Sequence, residues 1–121
     1  MPDSDMRMIE AVFRAEKFGV VDKALRDLGV SGVTMMEAKG RGRDTVITHS
    51  FVRGKWTWTT DVIHRVIVEV VVSSADVDKV IKAVVKAAST KKVGDGKIFV
   101  HTIEESVDIS TGDADDHSLK G

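Results

Sequence analysis

The sequence predicts an α+β domain with the ferredoxin-like order βαββαβ, an antiparallel sheet with two helices on one face. Three observations predict it. Segments of β-branched and aromatic residues alternate with two segments of helical apolar spacing in that order. A chain of 121 residues is one domain's worth of core. The connection between the second and third strands is too long for a hairpin turn, so a ferredoxin-like core would carry it as a long loop.

Residues 8–14 (MIEAVFR) are mostly apolar, with Val and Phe, and read as the first strand. Between Phe18 and Leu28, Val21, Ala24, Leu25 and Leu28 recur at helical spacing, and Gly29 follows where helices commonly stop. Residues 33–39 (VTMMEAK) form the second strand. Residues 65–72 (RVIVEVVV) are the clearest strand, dense in β-branched side chains. Ser74 is placed to cap the second helix, whose Val77, Val80, Ile81, Val84, Val85 and Ala88 make one apolar stripe. Residues 97–103 (KIFVHTI) supply the fourth strand, and Val107 to Ile109 a short fifth. The domain is expected to span 1–112, leaving 113–121 as a flexible acidic tail.

In the third strand Val66, Val68, Val70 and Val72 alternate with Ile67 and Val71; in the fourth, Ile98 and Val100 alternate with Phe99 and Ile103. The uncovered sheet face is therefore expected to pack against copies of itself. Oligomerisation follows; the number of subunits does not.

Between the second and third strands lie residues 40–64, far more than the two to five of a hairpin turn. Residues 45–51 (TVITHSF) and 55–60 (KWTWTT) alternate around Arg53-Gly54, as a protruding β-ribbon would. Long loops on small scaffolds are commonly functional. Trp56 and Trp58 would share one face of that ribbon, either as a partner-binding hot spot or as packing of the loop on its own body.

Composition excludes several chemistries. Eighteen basic and nineteen acidic side chains give a net charge of -1, too little for a nucleic-acid-binding face. No cysteine is present, which rules out disulfides, thiolate catalysis and Cys-based zinc sites. Neither a signal segment nor a stretch long enough to span a bilayer is visible, so a cytoplasmic protein is expected. His49, His64, His101 and His117 lack metal-ligand spacing, and no Ser or Thr is marked as an activated nucleophile.

Two glycine-rich segments carry basic residues: Gly40-Arg41-Gly42-Arg43, leaving strand two, and Gly94-Asp95-Gly96-Lys97, leading into strand four. In a βαββαβ sheet both lie at the same end. Glycine lets backbone N–H groups approach a phosphate, with Arg43 and Lys97 as countercharge; alone, each segment also fits a tight turn. The second is not a Walker A loop, whose spacing and Ser/Thr after Lys are absent. Glu69 interrupts an apolar strand expected to be buried, where a carboxylate needs a partner or a ligand donor.

The run KAASTKKVGDGKIFV at 86–100 closely resembles the C-terminal signature of the PII signal-transduction proteins. The PII pattern is also matched by Ile9 to Phe13, by GVSGVT at 29–34, by EAKGRGR at 37–43 and by Thr111-Gly112, in order and spacing. The resemblance implies a homotrimer whose sheets face inward, with ATP, ADP or AMP bound between subunits and no obligatory cofactor. It implies that Gly32, Val33, Thr34, Glu69 and Val71 surround the adenosine, while Gly42, Arg43, Gly94, Asp95, Gly96 and Lys97 hold phosphates. Arg43, Arg65 and Gly94 are implied to meet an effector anion. The 40–64 segment is implied to be the T-loop that contacts a target, a membrane transporter or a metabolic enzyme, through Arg53, Lys55, Trp56 and Trp58.

Departures from the family pattern sharpen these expectations. Two phosphate-reaching arginines of PII proteins are here Asp108 and Ser110, which predicts a preference for ADP or AMP over ATP. The glutamine that helps hold Mg²⁺ and 2-oxoglutarate is Asp44, and a following glycine is Val46. Asp44 still suits Mg²⁺ but repels a dicarboxylate, which disfavours 2-oxoglutarate and leaves a smaller anion such as bicarbonate. Arg65 stands where the family has an anion-pairing Lys. With no tyrosine in the chain, nucleotidylylation of a T-loop tyrosine is excluded. A regulator, not an enzyme, is expected; the alternatives are a CutA-like trimeric metal-binding protein and a slow ATPase.

Overall fold

A computed structural model describes residues 5–40, 47–52, 54–60 and 63–114. The strands are β1 (Met6–Arg14), β2 (Thr34–Gly40), β3 (Ile47–Val52), β4 (Lys55–Thr60), β5 (Ile63–Ser73) and β6 (Gly96–Ile103), with helices α1 (Phe18–Asp27) and α2 (Val77–Ala88). Four strands pair antiparallel in the order β2-β5-β1-β6, and β3 pairs with β4 as a separate two-stranded ribbon. This is the expected ferredoxin-like arrangement, with the ribbon set into the long connection.

Period-two alternation decides which side of each strand meets the helices. Ile9, Ala11 and Phe13 of β1 and Val66, Val68, Val70 and Val72 of β5 are buried against Val21, Leu25, Val80 and Val84. Each of these side chains larger than Ala11, fully buried, contributes about 1.5–3 kcal/mol. Helix α1 stops where its sequence says it should. Gly29 takes φ 83, its N–H donates to the Arg26 carbonyl at 2.9 Å, and the Val30 N–H donates to the Leu25 carbonyl at 3.0 Å. Lys23–Asp27 and Arg26–Asp22 ion pairs at 3.0 and 2.9 Å line its exposed side, worth about 0.3–0.5 kcal/mol each at this spacing.

Four details differ from the sequence expectation. Ser74 does not cap α2: it opens a 3-10 turn at Ser74–Asp76, and its hydroxyl donates to Asp5. Val85 leaves the buried stripe at 49% exposure, because α2 turns only its Val80, Val84 and Ala88 side fully onto the sheet. Val100 faces the helix layer yet stays 45% exposed, since β6 is an edge strand that the helices cover incompletely. Val107 to Ile109 form no strand. Val107 makes an isolated bridge to Ala114, and the chain between turns back through a Gly112 N–H to Asp108 carbonyl bond of 2.7 Å. Of the expected tail, Asp113 and Ala114 close that turn, and 115–121 lie outside the described residues.

Candidate ligand site

Register places charge in bands on the sheet face away from the helices. Directly opposed cross-strand residues share a face. Glu10 stands opposite Glu69, Arg14 opposite Arg65, and Lys97 opposite Val12. Two carboxylates therefore occupy the middle of this face and three cations the end where β1 finishes. His101 Nε2 lies 3.4 Å from Glu10 Oε1. Among the apolar members of the face, Met8, Val12, Ile67, Val71 and Ile103 are half-buried, while Met36 and Phe99 are 41% and 46% exposed. So the face is mixed rather than uniformly apolar.

A cleft of about 580 Å³ opens at the other end, where β1 and β2 start and β5 finishes. Gly32, Thr34, Glu69 and Val71 all line it, with Ser73, Asp76 and Lys79 from the approach to α2. Val33 does not: it packs against the core and lines a separate hollow beside Phe18 and Met35. Glu69 is half-buried, not sunk in the helix-side core, because its odd position in β5 directs it to the other face. Among the described residues no hydrogen bond engages its carboxylate, which suits an acceptor facing a ligand's N–H groups.

The second half of the predicted set lies elsewhere. Loop 89–95 leads into β6, and its shape depends on Asp95. The Asp95 carboxylate accepts the Thr90 hydroxyl at 2.5 Å, the Thr90 N–H at 2.7 Å, the Lys92 N–H at 3.3 Å and the Arg14 Nε at 3.5 Å. Those donors, the Thr90 hydroxyl foremost, hold its pKa well below the usual carboxylate range. Gly96 takes φ 130, and a Cβ there would sit 1.8 Å from the Val12 carbonyl oxygen. Only glycine fits so close an approach to β1. Lys97 is exposed beside it.

Arg65 is the unusual cation. It is 8% exposed, and its Nη1 is buried with no hydrogen-bond partner among the described residues. Gly40 makes room for it, since a Cβ at Gly40 would come within 3.0 Å of Arg65 Cδ and Nε. A buried guanidinium nitrogen without a partner is costly unless an anion reaches it. Gly42, Arg43, Asp44, Val46 and Arg53 lie outside the described residues. Lys55, Trp56 and Trp58 belong to β4, where Trp56 pairs with Phe51 and Trp58 with His49.

Gly40 and Gly96 do lie at one end of the sheet, as expected, but on its opposite edges. Three inter-strand spacings, roughly 14 Å across the sheet, lie between their strands. The adenosine and phosphate sets are further apart. From Met8, level with Val71, to Phe13, level with Gly96, β1 climbs roughly 17 Å at about 3.4 Å per residue. The 94–97 loop and the turn holding Gly32 are thus at opposite ends and opposite edges. One protomer does not bring them together. The residues missed from sequence are Arg14, Thr90, Glu10 and His101. Only the polar Glu10, among the alternating apolar residues of β1, carried a signal.

At the chain's far end Asp108 accepts the Ser110 hydroxyl at 2.8 Å and its N–H at 2.9 Å, which lowers the Asp108 pKa. Among the described residues no cluster of three or more His, Asp or Glu could hold a metal, and no helix is long and apolar enough to cross a membrane.

Comparison with known proteins adds a lineage to this geometry. The family described as nitrogen regulatory protein P-II matches residues 6–113. Nitrogen regulatory protein P-II 2 of Methanothermobacter thermautotrophicus is 41% identical over 109 residues, covering 90% of this chain and 93% of that protein. Nitrogen regulatory protein P-II of Haemophilus influenzae is 38% identical over 114 residues, covering 94% of this chain and all of that protein. Among solved structures, Arabidopsis thaliana PII bound to citrate superposes with TM-score 0.78 at 28% identity, covering 100% of this chain and 95% of that one.

Proposed function

Since this chain belongs to the nitrogen regulatory protein P-II family, we propose that it senses an adenine nucleotide in clefts between the subunits of a homotrimer. Members of this family are signal-transduction regulators rather than enzymes, and the chain is a regulator accordingly. Occupancy of the cleft biases the 40–64 segment between states that a target protein, a transporter or a metabolic enzyme, distinguishes.

The observation that carries this reading is the separation of the two half-sites. Gly32, Thr34, Glu69 and Val71 line the cleft, while the 94–97 loop of the same protomer sits at the far end of the sheet. Head-to-tail packing in a closed ring sets the turn of one protomer against the loop of the next, so a ring completes every site. Adenosine then meets the cleft, with Glu69 accepting from the base, and phosphates meet Gly94, Gly96, Lys97, Gly42 and Arg43.

Less-phosphorylated nucleotides suit this chain better. Asp108 keeps its negative charge through Ser110, where relatives are expected to carry arginines, so ADP or AMP leaves less charge uncompensated. We assign the anion effector to Arg65, whose planar fork suits a small carboxylate-like ion such as bicarbonate and whose Nη1 is buried with no partner among the described residues.

Sedimentation together with calorimetric titration of AMP, ADP and ATP tests the reading. A trimer binding ADP or AMP at least as tightly as ATP supports it. A monomer, or a trimer that takes up none of the three, overturns it. Bicarbonate titrated onto the ADP-loaded protein, beside 2-oxoglutarate onto the ATP-loaded protein, tests the anion assignment.

A further inference from the structure

Asp95 looks from sequence like one of the residues that hold phosphate, yet its surroundings leave it nothing to offer a ligand. An ionised carboxylate has about four lone-pair sites. Oδ1 takes the Thr90 hydroxyl and Arg14 Nε, and Oδ2 takes the N–H groups of Thr90 and Lys92. All its acceptor positions are used within its own loop and by the end of β1. Neither a Mg²⁺ ion nor a ribose hydroxyl could be served without breaking that set.

We propose that Asp95, Thr90 and Arg14 are positioning residues that hold the 93–97 loop in its phosphate-receiving shape, with Asp95 never touching the ligand. The inference rests on the nucleotide reading above and deepens it. Arg14 Nη2 also donates to the Val93 carbonyl at 3.3 Å, so one guanidinium grips the loop at two points. Carbonyl and carboxylate oxygens are thereby turned inward. Lys91 and Gly94 take positive φ values of 65 and 96, which bend the loop around the carboxylate. Among the described residues, no hydrogen bond engages the N–H groups of Val93 and Gly94, which stay available to an anion.

The arrangement also removes an electrostatic conflict. A free carboxylate inside a phosphate loop would repel the ligand. Spread over four donors, one of them a cation, the Asp95 charge is compensated before any phosphate arrives. Lys97 then acts on the ligand alone. The low pKa of Asp95 agrees with this: the carboxylate stays ionised across any physiological pH.

Calorimetric titration of AMP, ADP and ATP onto Thr90→Ser, Thr90→Val and Asp95→Asn tests the proposal, with melting temperature and subunit mass recorded for each. Thr90→Ser keeps the hydroxyl and binds as the parent does. Thr90→Val and Asp95→Asn lose about tenfold or more for ADP and ATP, from one misplaced charge-assisted contact, and clearly less for AMP. Equal losses for all three nucleotides would mark a merely structural role and overturn the proposal, as would undiminished ADP binding by both variants. Should either variant fold poorly, amide exchange in the parent decides: ADP must slow exchange at Val93 and Gly94. An unchanged rate there during demonstrable ADP binding sinks the positioning role alone, whereas a parent that binds no adenylate removes the nucleotide reading with it.

Discussion

Glu10 on β1 stands directly across from Glu69 on β5, placing two carboxylates opposite each other on the sheet face away from the helices. His101 Nε2 lies 3.4 Å from the Glu10 carboxylate. Like charges directly opposite on a sheet are destabilising. A fold that keeps them there is spending stability on Glu69, which lines the cleft.

Glu10→Gln removes the repulsion while keeping a hydrogen-bonding side chain beside His101. The variant is expected to gain about 0.5 kcal/mol in urea unfolding, the middle of the range for opposed pairs. A loss of stability would mean that the His101 contact outweighs the repulsion.

Arg65→Met keeps an unbranched side chain of similar reach and discards the charge. Because Nη1 is buried with no partner among the described residues, the substitution leaves the melting temperature equal or higher. It lowers bicarbonate binding to the ADP-loaded protein by about tenfold or more, the cost of one charged contact. A large drop in melting temperature would show that Arg65 has a structural partner.

Gly96→Ala and Gly29→Ala separate close approach from backbone strain. Both glycines have positive φ, but Gly29 has open space around it and Gly96 has the Val12 carbonyl. Gly29→Ala is expected to cost about 1–2 kcal/mol, the left-handed penalty alone. Gly96→Ala costs clearly more and weakens ADP binding too. Equal unfolding midpoints would contradict the packing of loop 89–95 against β1.

Asp95 sets an acid limit on stability. Its folded-state pKa is depressed from the usual 3.8, so its stabilising contribution is complete above that value and is lost as the pH falls below it. Melting temperatures of the parent are expected to fall steeply from about pH 5 to about pH 2, and those of Asp95→Asn to fall less. Parallel curves for the two proteins would refute the assignment.

Much of this was legible in the chain. The β-branched run ending in Val72, the helical spacing through Leu25 and Gly29 as a helix stop are local signals, and each appears where its residues place it. The GDGKIFV run pointed to the family that the whole-chain comparisons then showed. Where the reading failed, tertiary packing or a competing turn decided. Ser74 turned to Asp5, Val85 lies on the side of α2 away from Val80, Val84 and Ala88, and Val107 to Ile109 gave way to a turn closed by Asp108. Asp95 was noticed for its neighbours in sequence, but its chemistry is set by Arg14, far along the chain.

The residues themselves determined the kinds and order of elements, because strand and helix preferences are written at spacings of two and nearly four along one segment. Tertiary structure alone decided that Glu10 meets Glu69, that Arg14 meets Arg65 and reaches Asp95, and that the two halves of the candidate site lie at opposite ends of the sheet. Those pairings depend on register between strands far apart in the chain, and a shift of one residue would turn every side chain of a strand to the other face. No local pattern specifies that choice; the shared core of both helices and the central strands does.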